Sequence, residues 1–148
     1  MLQMELIIGD TQLKCYENGN IFRLHKRYKK WIEVKGTNNN GYLMLKIEDK
    51  GYLFHRIIYK AFNPEWDIHS PLEIDHINRD KKDNRIENLR LVTHQQNLWN
   101  KNAKGYYRHR NHFEGQIRVN GKYLSKNFGT EDEAMSWYLQ QKAIHHII

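Results

Sequence analysis

Between Gly19 and Lys50 the apolar residues come in short bursts: Ile21-Phe22, Trp31-Ile32-Glu33-Val34 and Tyr42-Leu43-Met44-Leu45-Lys46-Ile47. Asn and Gly turns separate them, so they predict the strands of one small antiparallel sheet. The period changes at Leu53, where Leu53, Phe54, Ile57, Ile58, Ala61 and Phe62 recur at the three-and-four spacing of a helix face. Pro64 biases Asn63 away from helical geometry and ends that helix. Next, a polar run from Asn78 to Asn84 lies between Leu72-Glu73-Ile74 and Leu89-Arg90-Leu91-Val92, which predicts an irregular hairpin. Thr93 and Gln96 have the spacing of a capping box, so a helix should carry Asn97, Leu98 and Trp99.

After a polar connection from Asn100 to Gly105, three more strands are expected, Tyr106–Arg110, Gly115–Val119 and Tyr123–Phe128, with an Asn120-Gly121 turn before the last. A second capping box, Thr130 to Glu133, opens a helix whose Ala134, Trp137, Tyr138 and Ile144 should cover one face of that sheet. The pattern describes an α+β chain in three parts: a β-rich region (1–52), a hairpin-and-helix core with its leading helix (53–100), and a three-stranded sheet plus helix (101–148).

Composition narrows the function. No apolar run approaches the roughly 20 residues that span a bilayer, and Met1–Asp10 lacks the basic and apolar regions of a signal peptide, so a soluble intracellular protein with no membrane partner is expected. The single cysteine, Cys15, excludes an intramolecular disulfide and any zinc site built on two or more thiolates. The net charge of +7 is unevenly spread: residues 1–50 carry +3, 51–100 are neutral and 101–148 carry +4. Basic flanks suit a polyanion, because each phosphate neutralised by Lys or Arg releases counterions.

Within the neutral middle stand Asp75-His76, Asn88 and Asn97, separated by 13 and then 9 residues. Phosphodiester hydrolysis needs an activated water, charge stabilisation at phosphorus and help for the leaving oxygen, which one metal and one imidazole can supply. On a regular strand the side chains of Asp75 and His76 point to opposite faces, so their convergence would need a bulge or twist. The run from His55 to Phe62, then Ile74-Asp-His-Ile-Asn and the stretch to Asn84, Arg85 to Thr93, and Gln96-Asn97, resembles the HNH homing endonucleases of bacteriophages. The H-N-N variant found among intron-encoded nicking enzymes is especially similar. The resemblance covers roughly residues 40–100.

That resemblance implies a ββα-metal nuclease acting on double-stranded DNA. Asp75 and Asn97 would be the ligands of one Mg2+ or Mn2+, with no structural zinc; His76 would be the general base and Asn88 would hold the loop to the hairpin. The commoner family pattern ends in His where this chain has Asn97, which favours hard cations; His94, 6 residues after Asn88, is the rival third residue. His55 is expected in a buried polar contact, Arg56 at a phosphate or an ion pair, and Trp66 and Trp99 in packing. Expected surroundings are the cytoplasm of a phage-infected bacterium, and a monomer, which would nick one strand, is favoured over a homodimer.

The last part, with Tyr106-Tyr-Arg-His-Arg110, Glu114–Lys122 and Phe128–Ala134, resembles the DNA-binding domain of plant APETALA and ethylene-response factors. Such a domain lays its sheet in the major groove. The resemblance implies DNA contacts from Tyr107, Arg108, Arg110, Gln116, Arg118, Lys122 and Lys126 on the sheet's exposed face, although the tryptophan common in that family's second strand is absent. At the other end Arg23, Lys26, Arg27, Lys29 and Lys30 put five cations within eight residues and are expected to track phosphates.

Overall fold

The computed structural model describes residues 1–101 and 103–148; Asn102, in the expected connection after Asn100, lies outside the described residues. The chain is α+β and divides into two compact units, Met1–Asn97 and Leu98–Ile148.

Unit 1 opens with a hairpin that the pattern did not predict, β1 (Gln3–Ile8) and β2 (Thr11–Tyr16), turning at Gly9-Asp10. Thr11, Leu13 and Cys15 alternate inward along β2, as one buried face requires. With β3 (Ile21–His25) and β4 (Lys30–Val34) they form a four-stranded antiparallel sheet in sequential order. The third expected strand does not join it. It becomes β6 (Tyr42–Ile47) in a second sheet with β5 (Thr37–Asn39) and β7 (Lys50–Leu53), so the single sheet read from the sequence is two. Gly36 makes the passage between them: its φ is +74°, and a Cβ there would meet the Phe54 ring at 2.9 Å.

Helix α1 (Phe54–Phe62) packs on β1, β2, β6 and β7 and buries Phe54, Ile57, Ile58 and Ala61, the stripe its spacing predicts. Asn63 closes it, donating its backbone N–H to the Tyr59 carbonyl. Leu13, Cys15 and Ile21 from the first sheet, Leu45 and Ile47 from the second, the α1 stripe, Trp66, Ile74 and Leu89 form one hydrophobic core. The expected division at residue 52 therefore lies inside a shared core. Burial of the thiol among these side chains pushes Cys15 up to about 12.

The hairpin of β8 (Glu73–His76) and β9 (Leu89–Val92) follows, with a 3-10 turn at Ile86–Asn88 between them, then α2 (His94–Trp99). The Thr93 box forms in both directions: Gln96 N–H donates to Thr93 Oγ1 at 3.2 Å, and Thr93 N–H to Gln96 Oε1 at 3.0 Å. In unit 2, β10 (Tyr106–Arg108), β11 (Phe113–Val119) and β12 (Lys122–Phe128) form an antiparallel sheet backed by α3 (Glu131–His145). Thr130 caps α3 through Glu133 N–H, and Glu131, Asp132 and Glu133 complement the positive end of its dipole. Ala134 and Tyr138 are buried against the sheet, whereas Ile144 is exposed, so the covered stripe ends a turn earlier than its spacing suggests. Among the described residues no helix is long and apolar enough to cross a membrane.

Candidate active site

Of the polar residues singled out in the middle of the chain, Asp75, His76 and Asn88 are buried and Asn97 is half-buried. Asp75, His76, Asn84 and Asn88 are each at most 5% exposed, and His55 is 6% exposed. β8 and β9 pair without interruption from Glu73↔Val92 to His76↔Leu89, so no bulge turns the two side chains together and Asp75 and His76 leave opposite faces of a regular strand. Each face has its own partners.

On one face Asp75 stands directly across from Arg90. The guanidinium donates twice to Asp75 Oδ2, from Nε at 2.9 Å and from a terminal nitrogen at 2.8 Å, which anchors that oxygen. Two residues earlier on this face, Glu73 receives Asn97 Nδ2 at 2.5 Å on Oε2 and meets His94 Nδ1 at 2.7 Å through Oε1. The carboxylate that meets Asn97 is thus that of Glu73, which the spacing gave no reason to single out. His94 remains exposed.

On the other face His76 Nε2 is 2.9 Å from Asn84 Oδ1. A carbonyl oxygen only accepts, so this bond puts the ring proton on Nε2 and the basic lone pair on Nδ1. The ring lies edge-on to His55 at 5.0 Å and 5.9 Å from Tyr42, whose own face is covered by Lys81 Nζ at 4.7 Å. Burial, with His76 and Arg56 nearby, pushes the His55 imidazole down to about 3. His55 is therefore buried and neutral beside His76 at physiological pH, in ring contact with it and with Tyr42.

Asn88 acts on the intervening loop. Its Oδ1 accepts from Asn78 N–H at 3.0 Å, and its Nδ2 donates to Asn78 Oδ1 and to the Asp83 carbonyl, both at 2.9 Å. Arg85 holds the Asp83 carboxyl down to about 2 through hydrogen bonds and charge. The Glu17–Asn20 turn buttresses the loop from outside: Ile86 N–H donates to the Glu17 carbonyl at 2.9 Å, and a Cβ on Gly19 would lie 2.8 Å from the Asn84 carbonyl carbon. Gly19, at φ +90°, thus permits the close approach that seats Asn84 under His76.

Among the described residues no group of three or more His, Cys, Asp or Glu side chains has the arrangement of a metal site. The Asp75 face of the hairpin carries the Asp75 and Glu73 carboxylates, with the Asn97 amide and the exposed His94 imidazole at Glu73, and its carboxylate and amide oxygens fit a hard divalent cation such as Mg2+ or Mn2+.

The residues expected on DNA are placed as follows. Lys26, Arg27, Lys29 and Lys30 are exposed, and Arg23, Lys26 and Arg27 line a groove of about 530 Å³. Arg56 is committed within the fold, donating to the Ile68 carbonyl and lying 5.1 Å from the Trp66 ring centre. In unit 2 the expected set divides between two faces. Gly115 faces α3, since a Cβ there would meet Trp137 at 2.6 Å, and residues paired across the sheet share a face. Lys126 opposite Gly115, Lys122 opposite Val119 and Arg108 opposite Phe113 therefore lie on the helix side. Tyr107, Gln116 and Arg118 lie on the outer side, and Arg110 is exposed in the connecting loop. The single-face reading is corrected for Arg108, Lys122 and Lys126: all three are exposed, but the two-residue period turns them to the helix side. Trp66 is buried edge-on to Tyr59, and Trp99 stacks on His146 at 4.7 Å, the packing roles expected of both.

Residues 52–98, the stretch that holds α1, the β8–β9 hairpin and most of α2, match the HNH endonuclease family. An HNH endonuclease of Acanthamoeba polyphaga mimivirus, itself uncharacterised, is 38% identical over 90 residues, covering 57% of this chain and 48% of the relative. The SPbeta prophage-derived HNH homing endonuclease candidate YosQ of Bacillus subtilis (strain 168) is 33% identical over 75 residues, covering 51% and 42%. The chain thus spans about half the length of the relatives it matches. A solved structure, "DNA binding and cleavage by the HNH homing endonuclease I-HmuI", aligns with 90% of this chain and 87% of its own at 20% identity and a TM-score of 0.48.

Proposed function

We propose that this protein is a divalent-metal-dependent DNA endonuclease of the homing type that cuts one strand of duplex DNA per active site. The observation that carries the reading is the buried Asp75-His76 pair inside the segment matching the HNH endonuclease family, with each member held by its own partner. From the strand face opposite Asp75, His76, its Nε2–H held by Asn84, takes a proton at Nδ1 from water attacking on the far side of the phosphate from the metal that Asp75 would hold. Asp75 and Asn97 would hold one Mg2+ or Mn2+, which when bound supplies charge stabilisation at the scissile phosphate and at the departing oxygen. Asn88 keeps the loop that carries Asn84 in register with β8. Tyr42 and neutral His55 wall the imidazole and place no competing charge beside it.

Grip on the duplex comes from the flanks. Arg23, Lys26, Arg27, Lys29 and Lys30 follow phosphates on one side of the nuclease segment. The outer sheet face of unit 2, with Tyr107, Gln116 and Arg118, and Arg110 in its loop, enters a groove in the manner of the APETALA-like domains. The names of the relatives, one viral and one from a prophage, support a phage-borne enzyme working in the cytoplasm of an infected bacterium. A monomer, with one active site, gives a nick.

Run-off sequencing of phage genomic DNA incubated with the protein and Mg2+ tests this reading. A break at one position on one strand is expected. Scattered breaks would replace the homing assignment with a non-specific or defence nuclease, and intact DNA that the protein still binds would favour a non-catalytic DNA-binding protein.

A further inference from the structure

We infer that Glu73 is a positioning residue that fixes which end of the Asn97 amide faces the metal. This rests on the proposed metal site. A side-chain amide has two ends of nearly the same shape, and only the oxygen can bind a cation. A neutral amide ligand therefore needs something that distinguishes its ends. Glu73 Oε2 meets Asn97 at 2.5 Å, and a carboxylate only accepts, so it takes the Nδ2 end and turns Oδ1 away from itself.

The carboxylate is itself held. It projects from β8 two residues before Asp75, on the same strand face, and its other oxygen is 2.7 Å from His94 Nδ1. With Asn97 on one oxygen and His94 on the other, it cannot swing to release Asn97 without breaking the second contact. Carboxylates that orient histidine ligands act in the same way, and their loss costs about 10–100-fold in metal affinity. His94, the rival metal ligand by sequence, enters this scheme as a brace for Glu73.

Mn2+ uptake by the full-length protein, followed by the EPR signal of free Mn2+, tests the inference in four variants: wild type, Glu73→Ala, Asn97→Asp, and the two combined. Glu73→Ala in the wild-type background should weaken binding about 10–100-fold. In the Asn97→Asp background both ends of residue 97 are oxygen, so orientation no longer matters and the two carboxylates repel. There, removing Glu73 should leave binding unchanged or tighten it. Weakening by Glu73→Ala in both backgrounds would mean that Glu73 is itself a ligand or only a strut, and would overturn the inference, as would no change in either. The underlying metal site is tested separately by Asp75→Ala. If the wild type takes up no Mn2+, or takes it up equally well as Asp75→Ala, the site fails and the inference with it.

Discussion

His55 ties the acid stability of the fold to the wall of the candidate active site. Its imidazole projects from α1 and is buried against Tyr42 and His76, and its folded-state pKa of about 3 lies far below the ordinary value of 6.5. In the unfolded chain the ring titrates near 6.5. As the pH falls below that value the unfolded state takes up a proton that the folded state refuses. The contribution of His55 is therefore whole above pH 6.5 and is lost progressively down to about 3. Each pH unit inside this window removes about 1.4 kcal/mol, so going from pH 6.5 to about pH 5 should cost about 2 kcal/mol from this residue alone. The perturbation is His55→Gln, which keeps a polar side chain and cannot be protonated. Urea unfolding of both proteins at about pH 7, 6 and 5 isolates the effect, because every other histidine is common to the two. Stability of the variant should decline less steeply by about 2 kcal/mol over that range. Parallel pH profiles would refute the reasoning and place a charged imidazole in contact with solvent.

Other outcomes follow from the same geometry. Asn88→Ala removes three side-chain hydrogen bonds from the loop Asn78–Asp83 and should cost about 2–3 kcal/mol by denaturant melt. Gly19→Ala forces a Cβ into the Asn84 backbone at φ +90°; it should destabilise by about 1–3 kcal/mol and slow cleavage even at temperatures where the variant is folded. Arg118→Ala should lower the slope of log affinity for duplex DNA against log salt by about 0.9 for a lost phosphate contact. Lys126→Ala, on the helix side of the same sheet, should leave that slope unchanged, and equal effects would contradict the division of the two faces.

What could be read from the sequence was mostly local. The α1 stripe, the Thr93 capping box and the Thr130 N-cap depend on residues within a few positions of one another, and they appear in the structure where their spacing predicts. β1 was hidden because Leu6, Ile7 and Ile8 are all apolar. Ile7 points to solvent at 67% exposure, and this continuous run erased the alternation that a strand on the border of a sheet would otherwise show. The split into two sheets depends on the backbone at Gly36 and on packing against Phe54, a contact 18 residues away in the chain. Within the site, Asp75, His76, Asn88 and Asn97 could be read from their order. Arg90, Glu73 and Asn84 could not, because their roles come from cross-strand register and from the loop that Gly19 and Asn88 hold in place. For Arg90 a signal was present: pairing the hairpin strands by their apolar pattern sets it opposite Asp75.

Whether Asp75 and His76 with a divalent ion break a phosphodiester bond is tested most directly with supercoiled plasmid and purified protein. Wild type with Mg2+ should convert supercoiled to open-circular DNA and should stop in excess EDTA. His76→Ala, with unchanged melting and DNA binding, should lose the conversion. Cleavage that persists in His76→Ala, or that needs no divalent ion, would contradict the account.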